Sequence, residues 1–226
     1  MCIRDRLNID PNRDVIIISH PRSGSMWLQS CLSHVNCFEP FSKFLKLDFQ
    51  DDYVDCVLLK QPKEFSPAEM SAFVADRIAG LDGITKPKAV KIHSFYLRRP
   101  DILNWINAQN ATVVALERRD KLKAFKSLLV AYSLNAYMGP IDKSSVTVDM
   151  NMAAELYRRI DNPIIESDKT KLKHKIQTVY YEDLMLENKL VSSNPPISQQ
   201  NTTNTVIENW HEIHNHLLSL GLMNTA

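Results

Sequence analysis

Val15-Ile16-Ile17-Ile18-Ser19-His20-Pro21-Arg22-Ser23-Gly24-Ser25-Met26-Trp27-Leu28 is the stretch from which the rest of the chain can be read. Four consecutive β-branched residues, Val15 to Ile18, mark a strand buried on both faces, as in a parallel sheet. The strand runs into Pro-Arg-Ser-Gly-Ser, and an apolar-periodic helix over Met26 to Val35 is expected to follow. A turn between a buried parallel strand and a helix N-terminus is a ready-made anion site. Its backbone N–H groups lack partners, and the helix dipole favours negative charge. Gly24 permits a close backbone approach, Ser23 and Ser25 add hydroxyl donors, and Arg22 adds a guanidinium able to fork onto a phosphate. An ordinary strand–turn–helix with a serine N-cap would use part of the same pattern.

The nucleoside-triphosphate loop requires two glycines five apart followed by Lys and Ser or Thr. Here there is one glycine, and no lysine follows it. The segment instead resembles the 5′-phosphosulfate loop of the sulfotransferases, Pro-Lys-Ser-Gly-Thr-Thr-Trp-Leu. Pro21, Ser23, Gly24, Trp27 and Leu28 match. Arg22 replaces Lys, as in many carbohydrate-type members, and Ser25 replaces Thr. Met26 replaces a second Thr, so that position can offer only its backbone N–H.

Outward from this loop the chain alternates strands and helices. Ser66-Pro67-Ala68-Glu69 opens a helix expected to end at Ala79 before Gly80. Strands are expected over Ala89–His93, Ala111–Glu117 and Ile176–Tyr180. Helices are expected from Pro100 through Ala108, from Asp120 to Tyr137, from an Asp149 cap to Ile160, and over Val206 to Leu220 before Gly221. Such alternation implies an α/β fold: a central parallel sheet flanked by helices, three-layered and P-loop-like, with its site at the C-terminal ends of the strands. The 226 residues suffice for one such domain, and nothing in the sequence divides them, so a single domain over 1–226 is expected. The opening Met-Cys-Ile-Arg-Asp-Arg follows no structural logic, so residues 1–6 are expected to be a non-native or disordered leader.

Two further segments carry the resemblance. Glu117-Arg118-Arg119-Asp120 ends a strand, and Ser127 follows Arg119 by eight residues, about two helical turns. Sulfotransferases carry Arg, seven residues and Ser on such a unit, and both hold the 3′-phosphate of the sulfate donor. Arg119 and Ser127 match that spacing, with Arg118 one register off. Taken alone, Arg118, Arg119, Lys121, Lys123 and Lys126 also read as a solvated basic face. Tyr180-Tyr181-Glu182-Asp183-Leu184 resembles the family's Tyr-Glu-Asp-Leu, in which the Tyr lies against adenine. Tyr181 would take that role, with Trp27 on the other side, and Glu182 and Asp183 would cap or pair locally. Towards the C-terminus, Gln199 to Thr202 and Val206 to Trp210 resemble bacterial and phage-type members. The basic segment that closes over the 3′-phosphate in animal cytosolic members is absent, which leaves Gln200, Asn201 and Thr202 as neutral donors.

The resemblance spans Val15 to Leu220 in order and implies an enzyme. Its donor is 3′-phosphoadenosine 5′-phosphosulfate, its nucleotide product adenosine 3′,5′-bisphosphate, and its reaction in-line sulfuryl transfer to a hydroxyl or amine of a small-molecule or saccharide acceptor. Arg22 would neutralise charge on the bridging oxygen, and backbone N–H groups from Ser23 through Met26 to Trp27 would hold the 5′-phosphate. Two general bases are open. His93, in Lys91-Ile92-His93, matches the cytosolic branch's Lys-Thr-His, with Lys91 beside the transferring group. Glu39, in Phe-Glu-Pro-Phe, matches a carbohydrate-type segment. A nucleotide kinase or NTPase, and a degenerate sulfotransferase that binds without turnover, remain as alternatives.

Composition narrows the partners. A net charge of +1 gives no bulk field for nucleic acid or membrane surface. Cys2, Cys31, Cys37 and Cys56 lack metal-type spacing, so no metal is expected, and core thiols in a reducing compartment are the better expectation. No stretch reaches the length of a membrane span and no signal peptide opens the chain, so a cytoplasmic location is expected.

Overall fold

The computed structural model describes residues 7–10, 12–25, 28, 32, 67–83, 87–134, 144–161, 170–184 and 205–223. Its elements in chain order are β1 (Asp14–Ser19), α1 (Pro67–Asp82), β2 (Ala89–His93), a 3-10 turn (Ser94–Arg98), α2 (Pro100–Ala108), β3 (Ala111–Glu117) and α3 (Lys121–Ser133). These are followed by β4 (Ser145–Val146), α4 (Met150–Asp161), β5 (Ile176–Tyr180), β6 (Val206–Ile207) and α5 (Trp210–Ser219). The chain groups into two compact units that interleave in sequence.

The first unit holds β1, α1, β2, α2, β3 as far as Leu116, and β5 as far as Val179. Its sheet has the strand order β2-β1-β3-β5, so the β-branched run of β1 lies between two parallel neighbours. Val15 to Ile18 are each at most 1% exposed, and because alternate residues point to opposite faces, both faces of the strand are covered. One face carries Ile16, Ile18, Val90, Ile92 and Val113 against Val74 and Leu81 of α1 and Ile102, Trp105 and Ile106 of α2. The expected α/β architecture, a parallel sheet flanked by helices, is what the chain adopts. At the start of β1, Asp14 accepts from the Lys88 amide at 3.0 Å and pairs with the Lys88 ammonium at 2.6 Å.

The second unit holds His20–Gly24, Glu117 onward through α3, β4 and α4, and Tyr180 onward through β6 and α5. Phe125, Leu129 and Val130 of α3, Ala153, Leu156 and Ile160 of α4, and Ile213 and Leu217 of α5 form its core. Phe125 meets Tyr157 edge to face, with ring centroids 5.0 Å apart.

Three boundaries differ from expectation, and two short elements were not expected. The first helix continues through Gly80 to Asp82. Burying Leu81 stabilises by roughly 1.5–3 kcal/mol, which outweighs the ~1 kcal/mol cost of a helical glycine. The helix after Asp120 ends at Ser133 rather than Tyr137, with the Leu134 N–H bonded back to Val130 and Tyr132 carbonyls. Val206 and Ile207 are strand rather than helix. They pair in parallel with Ser145 and Val146, a short strand that no sequence pattern announced. Backbone amides of Val206 and Glu208 bond the Ser144 and Val146 carbonyls, and Asn209 adds a side-chain clamp, donating to the Val148 carbonyl at 2.7 Å and accepting from the Val148 amide at 3.0 Å. The 3-10 turn after β2 was also unforeseen. By contrast, Asp149 caps its helix as expected, accepting from the Met152 amide, and Asp120, expected as the first helical residue, caps α3 by accepting from the Lys123 amide. Gly221, at φ +65, ends α5, with its own amide on Leu218 and that of Leu222 on Leu217. The helix expected over Met26 to Val35 is described only at Leu28 and Leu32, both helical; the Ser66 cap lies outside the described residues.

Candidate functional site

In the second unit, the loop that follows β1 meets two segments distant in sequence. Arg22 adopts φ +62, a left-handed conformation that costs an ordinary side chain about 1–2 kcal/mol. Two contacts hold it. Its Nε donates to the Ser127 hydroxyl at 3.0 Å, and its carbonyl accepts from Arg118 Nη1 at 2.9 Å. Gly24 lies at φ +87, with Ser23 between at negative φ. The Ser23 amide between them donates to the His20 carbonyl at 3.4 Å, so the loop is a tight turn at the end of β1.

Arg118 is the most enclosed cation of the group, with its side chain 15% exposed. Its guanidinium lies 5.0 Å from the Tyr181 ring centroid. Its Nε is buried without a hydrogen-bond partner among the described residues, and the Glu182 carboxylate is 3.8 Å away. Glu182 accepts instead from the Arg119 and Asp120 amides, at 3.1 and 3.2 Å, and so sits at the N-terminus of α3.

Several expected roles change in this geometry. The Ser23 hydroxyl donates to the His20 carbonyl at 2.7 Å, closing the turn, so its proton is not directed at a ligand. The close approach that Gly24 permits is that of Tyr181: a Cβ at position 24 would overlap Cδ2 and Cε2 of that ring. Tyr181, expected against a base, thus packs on the loop and under Arg118. Burial pushes its phenol above the ordinary 10.0, against the opposing pull of the Arg118 charge. Arg119 and Ser127, matched by spacing, are not brought together. Arg119 forms a two-pronged pair with Asp183, Nη2 to Oδ2 at 2.7 Å, and lies 4.1 Å over Tyr180. The Asp183 hydrogen bond raises the Arg119 pKa further. Arg118, the lesser candidate by register, is the arginine that contacts Arg22. Consecutive residues leaving a strand point in opposite directions, so a shift of one residue exchanges their surroundings.

In the first unit, Lys91 and His93 share one face of β2. His93 is 8% exposed, and its Nδ1 lies 3.4 Å from the Ser19 carbonyl. A carbonyl only accepts, so a hydrogen bond here requires the tautomer with its proton on Nδ1. Ser25 is buried at the start of the loop helix. Met26, Trp27, Glu39, Gln200, Asn201 and Thr202 lie outside the described residues.

Sequence reasoning missed a cavity of about 360 Å³ in the second unit, lined by Lys123, Lys126, Ser127, Val130, Thr205, Val206, Ile207 and Trp210. The α3 residues share one helix face, and that spacing was a usable signal; the far wall comes from the β6 pairing. Among the described residues no three His, Cys, Asp or Glu side chains group as a metal site, and no helix is long and apolar enough to cross a membrane.

No protein-family model matches the chain, and no curated protein matches its sequence. Among solved structures it is similar to retinol dehydratase, crystallised in complex with androsterone and inactive cofactor PAP. The identity is 17% and the TM-score 0.38, and the match covers 96% of this chain and 66% of that one. The chain thus spans about two thirds of the length of that protein.

Proposed function

We propose that the protein transfers a sulfuryl group from 3′-phosphoadenosine 5′-phosphosulfate to a hydroxyl or amine of a small-molecule or saccharide acceptor. One observation carries the reading. Arg22 of the loop bonds Ser127 of α3, a residue 105 positions away, so the two segments that resemble the two anion-holding motifs of sulfotransferases meet through one hydrogen bond. The residues present suit an anionic nucleotide. The loop sits between two arginines at a strand end, and the Arg118 Nε is buried without a hydrogen bond among the described residues.

In this reading Arg22 and N–H groups of the loop and the following helix start hold the 5′-phosphate, and Ser127 and Arg118 hold further anionic oxygen. Arg119 joins them only by leaving Asp183. The nucleotide supplies the activated sulfuryl group. The protein positions it and neutralises charge at the bridging oxygen through Arg22, the kind of electrostatic help that acts in the transition state. His93 takes the acceptor's proton on Nε2, with Glu39 as the other base that the resemblance implies.

The test is a thermal-shift titration with adenosine 3′,5′-bisphosphate, with ADP and ATP–Mg²⁺ as controls. Ligand at ~100 times its dissociation constant adds about 2.7 kcal/mol, about 6 °C for a chain of this length. The expected result is a shift with the bisphosphate alone, lost in Arg118→Ala and only weakened in Arg119→Ala. A shift with ATP–Mg²⁺ and none with the bisphosphate would overturn the reading in favour of a kinase or NTPase.

A further inference from the structure

The cavity beside α3 has a composition of its own. Lys123 and Lys126 stand one turn apart on the wall it shares with Ser127 and Val130, and Thr205, Val206, Ile207 and Trp210 form the facing wall. The Lys126 ammonium lies 4.1 Å over the Trp210 ring. Neither ammonium pairs with a carboxylate among the described residues. Two like charges at that spacing repel, and Lys123 stands in the first turn of α3, where the dipole disfavours cations. An anion between them relieves both effects. Beside the hydroxyls of Ser127 and Thr205 the lining is apolar: Val206 is 61% exposed, an unusual state for a valine in a strand, and it joins Val130, Ile207 and the indole. The volume lies within the range of small-molecule sites, which are mostly apolar with a few polar groups that fix orientation.

We propose that this cavity binds a small organic anion: a phosphate, sulfate or carboxylate held between Lys123 and Lys126, on a ring packed against Val206, Ile207 and Trp210. The site rests on these side chains alone and stands whether or not the sulfuryl-transfer reading does. The anion has two possible sources, the second anionic end of a nucleotide already held at the loop, or a separate acidic molecule.

The experiment is calorimetric titration of the full chain with 1-naphthyl phosphate, inorganic phosphate and 1-naphthol, on wild type and on Lys123→Gln/Lys126→Gln. Naphthyl phosphate is expected to bind wild type at least tenfold more tightly than either half-ligand. The double variant is expected to lose at least tenfold while staying folded, its melting temperature moving by no more than about 2 °C for one lost cation–π contact. Lys126→Glu, which reverses one charge without touching the core, is expected to abolish binding. Repeating the titration with saturating adenosine 3′,5′-bisphosphate separates the sources: competition assigns the site to the nucleotide's own second phosphate, and undiminished binding assigns it to a separate molecule. Failure of naphthyl phosphate to bind, or binding unchanged in both lysine variants, overturns the proposal. Activity enters none of these readouts, so their failure is distinguishable from failure of sulfuryl transfer.

Discussion

Gly24→Ala should be among the most damaging single-methyl changes in this protein, for two separable reasons. At φ +87 an alanine is strained whatever the surroundings, at a cost of about 1–3 kcal/mol. Its Cβ would also overlap two atoms of the Tyr181 ring and lie 3.3 Å from a third, Cγ. The ring must then leave the loop, losing part of its burial and its place under Arg118, which adds about 1 kcal/mol. The sum is about 2–4 kcal/mol. At ~2.1 cal/mol/K of unfolding entropy per residue, this predicts a fall in melting temperature of about 4–8 °C for the 226-residue chain. The assay is a double-mutant cycle with Tyr181→Ala, followed by thermal melts. With the ring gone only the backbone strain remains, so the cycle should show a coupling of about 1 kcal/mol. Additive effects would refute the contact, and a Gly24→Ala melt within a degree of wild type would refute the loop conformation itself.

Other predictions rest on different contacts. Lys88→Met leaves the Asp14 carboxylate, 16% exposed, without its ammonium partner, and should cost roughly 3–5 kcal/mol, read by denaturant titration; a loss below about 1 kcal/mol would contradict the buried pair. Hydroxyls of Ser145 and Thr147 hold the Glu208 carboxyl below its ordinary 4.5, so its contribution to stability is present above that value and fades as pH falls through the lowered one. Ser145→Ala/Thr147→Val should therefore melt lower than wild type at about pH 6, with the gap closing in acid; a gap that widens would reverse the assignment. If His93 is the base, His93→Ala should lose about 10²–10⁴-fold in turnover while bisphosphate affinity holds, and unchanged turnover would transfer the role to Glu39.

The strands and the loop were legible because they are local. A run of β-branched residues, the Pro-Arg-Ser-Gly-Ser turn and the Asp149 cap each declare themselves within a few residues, and the described elements begin where these signals say. Helix ends were less legible, because what decides them is which side chain finds a core. Leu81 draws its helix past Gly80, and backbone pairing with Ser145 and Val146, joined by the Val148–Asn209 clamp, makes strand of Val206 and Ile207, residues whose helical period looked continuous.

By itself the sequence determined the parallel α/β arrangement, the strand-end loop with its glycine, and the short list of residues that could hold an anion. Tertiary structure decided which of them act together. Spacing alone favoured Arg119 with Ser127. The folded chain instead commits Arg119 to Asp183 and Tyr180, sets Arg118 on the Arg22 carbonyl, and turns the Arg22 side chain to Ser127. It also sets Tyr181 against Gly24 and closes a lysine-lined cavity with residues from the far end of the chain. The reason is geometric. Local pattern fixes the direction of a side chain relative to its own strand or helix, whereas its partner is chosen by which distant segment packs alongside.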